Sequence, residues 1–168
     1  ARTVWITGCG TSSYAADHMR DYLAPEIDAR SIQSHELEYR TAEVDNDDAV
    51  IAVSQSGETK DLLAALEDVD APVLSFLNVA QSSLERRSSH TIYINAGPEV
   101  GVASTKAYTA QLAAIKTVAS ELKDQEQVAN SLHGTAEKAE KVIEASESLA
   151  QQLQSRLGGE DAYFVGRY

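Results

Sequence analysis

Three short polar segments of the sequence have the residue types that bind an anion. Residues 8–13 read GCGTSS, residues 54–59 read SQSGET, and residues 95–106 hold Ser104 and Thr105 beside two glycines. Each segment follows a strand-like run and precedes a helical pattern. Hydroxyls, an amide and the free N–H groups of a helix start can bind an anion without a cation. The pattern therefore indicates a site for a phosphate-bearing ligand.

The segment at 54–59 carries the clearest signal. It follows the apolar run AVIAV at 49–53 and offers three hydroxyls and one amide, from Ser54, Gln55, Ser56 and Thr59. The positive end of the following helix dipole adds to the attraction for a phosphate. A Walker loop is excluded because Gly-Lys-Ser/Thr is absent, and Lys60 is expected on the surface. The alternative is a helix start in which Ser56 or Thr59 is only the cap, but three hydroxyls exceed what one cap needs.

The segment at 8–13 leaves two alternatives open. It resembles a dinucleotide fingerprint, Gly-x-Gly-x-x-Gly, but Ser13 stands where the third glycine belongs. Glu36 would then be the acid that binds the ribose. Taken alone, Thr11 and Ser12 fit a helix cap as well as they fit a ligand site.

The segment at 95–106 carries two residues that could do covalent or proton-transfer chemistry. Glu99 could be a general base, although a carboxylate in a loop is more often structural or solvated. Lys106 could contact an anion or form an imine, but the sequence shows no neighbour that would perturb its pKa.

The chain around these segments alternates strand-like and helical patterns, which is typical of a parallel α/β sheet. Strands are predicted at Thr3–Gly8, Ala29–Ser34, Ala49–Ser54, Val73–Asn78, His90–Asn95 and Ala162–Val165. Helices are predicted at Ser13–Leu23, around Leu62, Leu63 and Leu66, at Ser82–Arg87, along the stripe Tyr108, Leu112, Ile115, Ala119 and Leu122, and at Thr135–Leu157. Gly158 and Gly159 are predicted to end the last helix. Because ligands bind beyond the carboxyl ends of parallel strands, the three polar segments lie where a site is expected.

The net charge, the apolar runs and the cysteine count disfavour several classes of function. The 168 residues carry a formal net charge of −12, which disfavours binding to nucleic acid and to anionic membranes. This acidity fits either adaptation to high salt or an ordinary acidic surface. No apolar run approaches the ~20 residues of a membrane span. One cysteine, Cys9, excludes an internal disulfide and fits a cytoplasmic protein, and neither a metal-ligand cluster nor a cofactor motif is found.

Taken together, the motifs resemble the sugar isomerase (SIS) domain family, and within it the first half of the isomerase module of glutamine–fructose-6-phosphate aminotransferases. The resemblance rests on CGTS at 9–12, SQSGET at 54–59, LERRSSHTIYINAG at 84–97, EVGVASTKAYTAQL at 99–112 and FVGR at 164–167. It implies a three-layer, flavodoxin-like α/β fold with a five-stranded parallel sheet flanked by helices. It also implies one SIS domain over residues 1–168, with the start of a possible second subdomain at 162–168, and a homodimer.

The same resemblance implies the ligand and its contacts. The ligand would be a hexose 6-phosphate, its phosphate held by the serine–glutamine–serine turn, the following threonine and the serine of the first turn. The residues expected to contact the sugar phosphate are Cys9, Gly10, Thr11, Ser12, Ser54, Gln55, Ser56, Thr59, Val102 and Ser104.

The catalytic residues are not predicted. The family's isomerising glutamate, ring-opening histidine and carbonyl-engaging lysine belong to regions outside these 168 residues, as does the glutaminase domain with its cysteine. Two other functions stay open. One is a stand-alone isomerase or deglycase acting as a homodimer, with His35, His90 or Glu99 reaching the neighbouring subunit's site. The other is a non-catalytic sugar-phosphate sensor.

Overall fold

The fold is that of a computed structural model, which describes residues 1–101, 104–123 and 134–156. The chain divides into two compact units, Ala1–Ala129 and Asn130–Tyr168, and the predicted ligand site belongs to the first. None of the helices within the described ranges has the length and apolar character of a membrane span.

The first unit is built on a five-stranded parallel sheet, as the sequence predicted. Its strands are β1 (Val4–Gly8), β2 (Ala29–Gln33), β3 (Ala49–Val53), β4 (Val73–Leu77) and β5 (His90–Tyr93). They lie in the order β2-β1-β3-β4-β5, and every neighbouring pair is parallel. The predicted strands matched these to within one or two residues at each end. The α/β, flavodoxin-like prediction is therefore confirmed.

The strand order determines where a ligand can bind. The chain leaves β1 to form β2 on one side and returns to form β3 on the other. The loops that follow β1 and β3 thus diverge at a switch point, which is where open α/β sheets bind ligands. Gly8, the last residue of β1, pairs with Val53, the last residue of β3, so the two polar segments begin side by side.

Helices cover the sheet and connect its strands. They are α1 (Thr11–Leu23), α2 (Ser34–Leu37) with a 3₁₀ turn at Glu38–Glu43, α3 (Lys60–Glu67), α4 (Ser83–Arg87) and α5 (Lys106–Leu122). The short α2 was not predicted. Ser82 is the N-cap of α4, and its hydroxyl accepts a hydrogen bond from the Glu85 backbone N–H.

The core has two halves, one on each face of the sheet. Adjacent residues of a strand point to opposite faces, so Trp5 belongs to one half and Ile6 to the other. The first half packs α3 and α4 against the sheet, and the second packs α1 and α5. Both halves are fully buried, which gives the loops at the strand ends a rigid base.

The buried face of α5 differs from the predicted stripe. Its buried residues include Ala107, Gln111, Ile115 and Ala119, while Leu122 is 55% exposed. The helix is thus rotated so that a polar side chain, Gln111, lies in the middle of the buried face.

The second unit contributes one described helix, α6 (Thr135–Arg156). It confirms the predicted amphipathic helix, and the side chains of its apolar stripe, including Val142 and Ile143, are exposed. Leu157, the predicted cap at Gly158 and Gly159, and the predicted strand at Ala162–Val165 lie outside the described residues.

One buried carboxylate holds the start of β1 to the loop before β3. Asp48, 1% exposed, accepts hydrogen bonds from the Thr3 backbone N–H at 3.0 Å and from the Trp5 indole N–H at 3.1 Å. It also accepts from the Asp45 N–H at 3.1 Å, and the guanidinium of Arg2 lies 3.8 Å away. Burial disfavours the charge, but these donors outweigh it and lower the pKa of the Asp48 carboxyl.

We predict that Asp48→Asn destabilises the fold. Replacing an acceptor-only carboxylate by an amide leaves buried donors unpaired, which should lower the free energy of unfolding by about 1–3 kcal/mol at pH 7. Because the folded pKa of Asp48 is lowered, its contribution is complete above the unfolded pKa of about 3.9 and is lost as the pH falls through the folded pKa. Urea unfolding over a pH series should therefore show the two proteins converging in acid.

The neighbouring, exposed Asp47 provides the control. Asp47→Asn should stay within about 0.5 kcal/mol of the wild type across the series. An equal loss in the two variants, or a gap for Asp48→Asn that persists in acid, would contradict this role of Asp48.

Candidate functional site

A cavity of about 290 Å³ opens at the carboxyl ends of β1 and β3. It is close to the lower end of the ~300–1,000 Å³ range typical of small-molecule sites. Its lining residues are Cys9, Gly10, Thr11, Ser12, Val53, Ser54, Gln55, Ser56, Thr59 and Ser104. Nine of the ten residues predicted to contact a ligand thus surround one cavity. The tenth, Val102, lies outside the described residues.

In the loop after β3, two serine hydroxyl oxygens each accept a hydrogen bond from the backbone. The Ser54 oxygen accepts a hydrogen bond from the Gly57 N–H at 3.0 Å, and the Ser56 oxygen accepts one from the Glu58 N–H at 3.2 Å. A serine hydroxyl has one proton and two lone pairs. With an oxygen already accepting from the backbone, each O–H remains available to donate into the cavity.

The alternative that Ser56 or Thr59 merely caps α3 does not describe this loop. Thr59 is the N-cap residue, but its side chain makes no capping hydrogen bond. Ser56 accepts from Glu58, which lies outside the helix. The hydroxyls of this turn are therefore not used to start α3.

The loop after β1 is shaped by two glycines. Gly10 is the N-cap of α1 at φ +57°, a conformation that favours glycine. A Cβ on Gly8 would lie 2.7 Å from the Ser12 carbonyl oxygen, so Gly8 allows the close packing of strand and helix. At position 13, where a dinucleotide fingerprint has its third glycine, Ser13 is buried and its hydroxyl donates to the Gly10 carbonyl oxygen at 2.7 Å. Neither Thr11 nor Ser12 caps the helix, since α1 has no side-chain cap.

Ser12 has the same donor arrangement as the serines of the other loop. Its oxygen accepts a hydrogen bond from the Gln111 side-chain amide, Nε2, at 3.0 Å. Three serine oxygens around the cavity, those of Ser12, Ser54 and Ser56, thus each accept a hydrogen bond from a protein N–H.

The lining residues carry no lysine, arginine, aspartate or glutamate. Attraction for an anion would come from hydroxyls, from backbone N–H groups and from the positive ends of α1 and α3, whose first turns border the cavity. Lys60 and Lys106 are exposed and are not among the lining residues. In the described ranges, no cluster of three His, Cys, Asp or Glu residues could hold a metal ion.

Glu99 anchors the third loop instead of facing the cavity as a base. One of its oxygens accepts from the Thr105 N–H at 3.0 Å, from the Thr105 hydroxyl at 2.8 Å and from the Ala107 N–H at 3.3 Å. These bonds, that from the Thr105 N–H foremost, lower the pKa of Glu99. Glu99 therefore fixes the start of α5 next to Ser104, which lines the cavity.

The histidines considered for catalysis lie elsewhere. His90 begins β5 and is therefore at the opposite, amino-terminal edge of the sheet, where it lines a separate apolar cavity. His35 is exposed on α2. Neither is among the residues that line the cavity at the carboxyl edge.

The sequence interpretation missed two residues of this region. Val53 lines the cavity floor as the last residue of β3, and Gln111 lies behind Ser12. A signal for Gln111 was present, since it is the polar residue between Ala107 and Ile115 at steps of four on α5.

Comparisons with known proteins agree on the family to which this chain is similar. A family model described as the SIS domain matches residues 1–121. The glutamine–fructose-6-phosphate aminotransferase [isomerizing] of Chlorobaculum tepidum is 35% identical to the chain over 181 aligned positions, which cover 99% of this chain and 29% of that protein. The chain thus spans less than a third of the length of that relative.

Solved structures agree with the sequence matches. The C-terminal domain of glucosamine-fructose-6-phosphate aminotransferase from Francisella tularensis is 32% identical, with a TM-score of 0.69 over 77% of this chain and 40% of that one. A protein from Silicibacter pomeroyi assigned as a phosphosugar isomerase is 26% identical, with a TM-score of 0.69 over 81% of this chain and 43% of that one.

We predict that Gly57→Ala destabilises the fold because of the backbone conformation and the close packing at this glycine. Gly57 has φ +68°, and a Cβ there would lie 2.2 Å from the Ser82 hydroxyl oxygen and 2.6 Å from the Ser82 Cβ. Gly57→Ala should cost the ~1–2 kcal/mol of a left-handed alanine and a further ~1–3 kcal/mol for the overlap. Urea unfolding measures the sum.

Two comparisons separate those contributions. Gly97 has φ +71°, and a Cβ there would make only an ordinary contact with Lys106 Nζ at 3.9 Å, so Gly97→Ala should show the backbone cost alone. In a Ser82→Gly background, Gly57→Ala should lose most of the overlap and become milder, because only the tight contact with Leu77 Cδ2 at 3.0 Å remains. If Gly57→Ala costs as much there as in the wild type, the steric argument is wrong.

Proposed function

Because the chain belongs to the SIS domain family, we propose that it binds a hexose 6-phosphate, such as fructose 6-phosphate or glucosamine 6-phosphate. The ligand would occupy the cavity at the carboxyl ends of β1 and β3. The observation that carries this proposal is the set of three serine oxygens held by protein N–H groups, which leaves three O–H groups for an anion.

In the proposed binding mode, the phosphate oxygens accept several hydrogen bonds from the loops around the cavity. The hydroxyls of Ser12, Ser54, Ser56 and Thr59 and the amide of Gln55 would donate to its oxygens. Hydrogen bonds to a charged acceptor are worth roughly twice those between neutral groups. Cys9, Gly10 and Thr11 would then line the sugar, and Val102 and Ser104 its carbon chain.

The relatives support a role within a larger enzyme. The Chlorobaculum and Francisella proteins are named as aminotransferases that act on fructose 6-phosphate. We propose that the chain supplies the phosphate site of such an enzyme, which converts fructose 6-phosphate and glutamine into glucosamine 6-phosphate. A second SIS subdomain, a glutaminase domain and a second copy of the chain would be its partners. The lone cysteine suits a cytoplasmic location.

Isomerisation needs a base near the first two sugar carbons. Of the ten lining residues, only Cys9 has an ionisable side chain. Glu99 already accepts three hydrogen bonds through one oxygen, and its lowered pKa makes it a weak base. These observations favour a domain that holds the substrate while another part of the enzyme moves the proton.

We predict that Thr59→Val separates ligand binding from stability. The Thr59 hydroxyl makes no capping bond, so the isosteric valine should unfold like the wild type. Losing one donor to a charged phosphate should weaken fructose 6-phosphate binding about tenfold. Titration calorimetry on the 168-residue chain measures the affinity, and thermal unfolding measures the stability.

Thr59→Ser keeps the hydroxyl and should keep most of the affinity. Thr117→Val provides the matched control, since Thr117 is exposed on α5 and its hydroxyl donates to the Ala113 carbonyl oxygen of its own helix. In a thermal-shift panel, hexose 6-phosphates near 100 times their Kd should raise the wild-type Tm by roughly 5–10 °C, and unphosphorylated sugars should not. Equal shifts with both ligand classes would overturn the phosphate site.

We predict that the 168-residue chain binds fructose 6-phosphate without turning it over. The cavity offers donors for the phosphate but no carboxylate or imidazole for proton transfer. Incubation in deuterated water, followed by NMR of the C1 and C2 positions, should show no exchange above that of a sample without protein. Exchange that depends on Thr59 would instead support a stand-alone isomerase.

A further inference from the structure

Gln111 is a polar side chain in a layer that packing alone would make apolar. It is 1% exposed, it lies between the buried residues Ala107 and Ile115 on α5, and the surrounding cluster consists of aliphatic and aromatic side chains. Its Nε2 donates to the Ser12 hydroxyl oxygen at 3.0 Å, across 99 positions of sequence. Its Oε1 is buried and has no hydrogen-bond partner within the described part of the chain.

The direction of this amide determines the direction of the Ser12 hydroxyl. With the NH₂ group facing Ser12, the serine oxygen accepts and its single proton is free to donate into the cavity that Ser12 lines. With the amide reversed, Oε1 would take that proton, and the serine would turn lone pairs toward the ligand. A phosphate is bound by the first arrangement and repelled by the second.

We propose that Gln111 is a positioning residue that fixes Ser12 as a hydrogen-bond donor to the bound anion. This inference rests on the proposed function and names a further residue behind the same site. The unpaired Oε1 supports it, because a buried acceptor without a partner lowers stability and an apolar side chain of the same length would avoid that cost. Gln111 therefore orients the Ser12 hydroxyl and lowers the stability of the fold.

The test is a double-mutant cycle between Gln111 and Ser12 in the 168-residue chain, with fructose 6-phosphate as the probe in titration calorimetry. Gln111→Met should weaken binding about fivefold, and Ser12→Ala about tenfold. In the Ser12→Ala background, Gln111→Met should change the affinity by less than about twofold, since the hydroxyl that it orients is gone. Gln111→Leu provides a second apolar variant if the methionine variant does not fold.

Thermal stability distinguishes this role from a purely structural one. If Gln111 only supported the fold, its replacement would lower the Tm. Gln111→Met should unfold at the same Tm as the wild type or above it, because a buried unpaired acceptor is removed. Ser120→Ala is the control on the same helix: Ser120 is buried, its hydroxyl donates to the Lys116 carbonyl oxygen, and its loss should leave the affinity unchanged.

The outcomes distinguish this inference from the proposed function. If wild-type chain binds no hexose 6-phosphate, the proposed function fails and this inference with it. If the wild type binds but Gln111→Met costs the same affinity with and without Ser12, or lowers the Tm together with the affinity, only the role of Gln111 is wrong.

Discussion

A serine hydroxyl has one proton, and the proposed phosphate site depends on where that proton can go. Around the cavity, the oxygens of Ser12, Ser54 and Ser56 each accept from a protein N–H, two from backbone and one from Gln111. Each hydroxyl thus has a protein partner on one lone pair and keeps its proton for a further partner. Because that proton can donate, these uncharged groups can bind an anion.

This polarity depends on loops that cannot relax, and the sheet provides that rigidity. The loops after β1 and β3 start from paired residues, Gly8 and Val53, over a core that is buried on both faces. Close approaches at Gly8 and Gly57 hold the turns against α1 and the N-cap of α4. Glu58 adds a further tie, accepting from the Ser83 N–H at 2.7 Å. The turn therefore keeps its donors aligned without a ligand.

The sequence predicted what depends on local pattern. The strands, the helix positions and nine residues around the cavity follow from apolar runs, turn residues and motif resemblance, all of which are contiguous in the chain. It could not predict the Gln111–Ser12 bond, because that contact joins α5 to α1 and depends on how far α5 is rotated. The role of Glu99 was open for a similar reason, since only the path of the loop shows that its carboxylate caps α5.

An uncharged site would also let an acidic protein bind the proposed dianion. A net charge of −12 repels phosphate at long range, but such repulsion is screened within about 8–10 Å at physiological salt. Hydrogen bonds from hydroxyls act at contact distance, where screening is weak. A lysine pocket would lose more of its attraction as salt rises than a site built from neutral hydroxyls. The three serine hydroxyls would thus give the proposed phosphate site an attraction that depends little on the charge of the protein's surface.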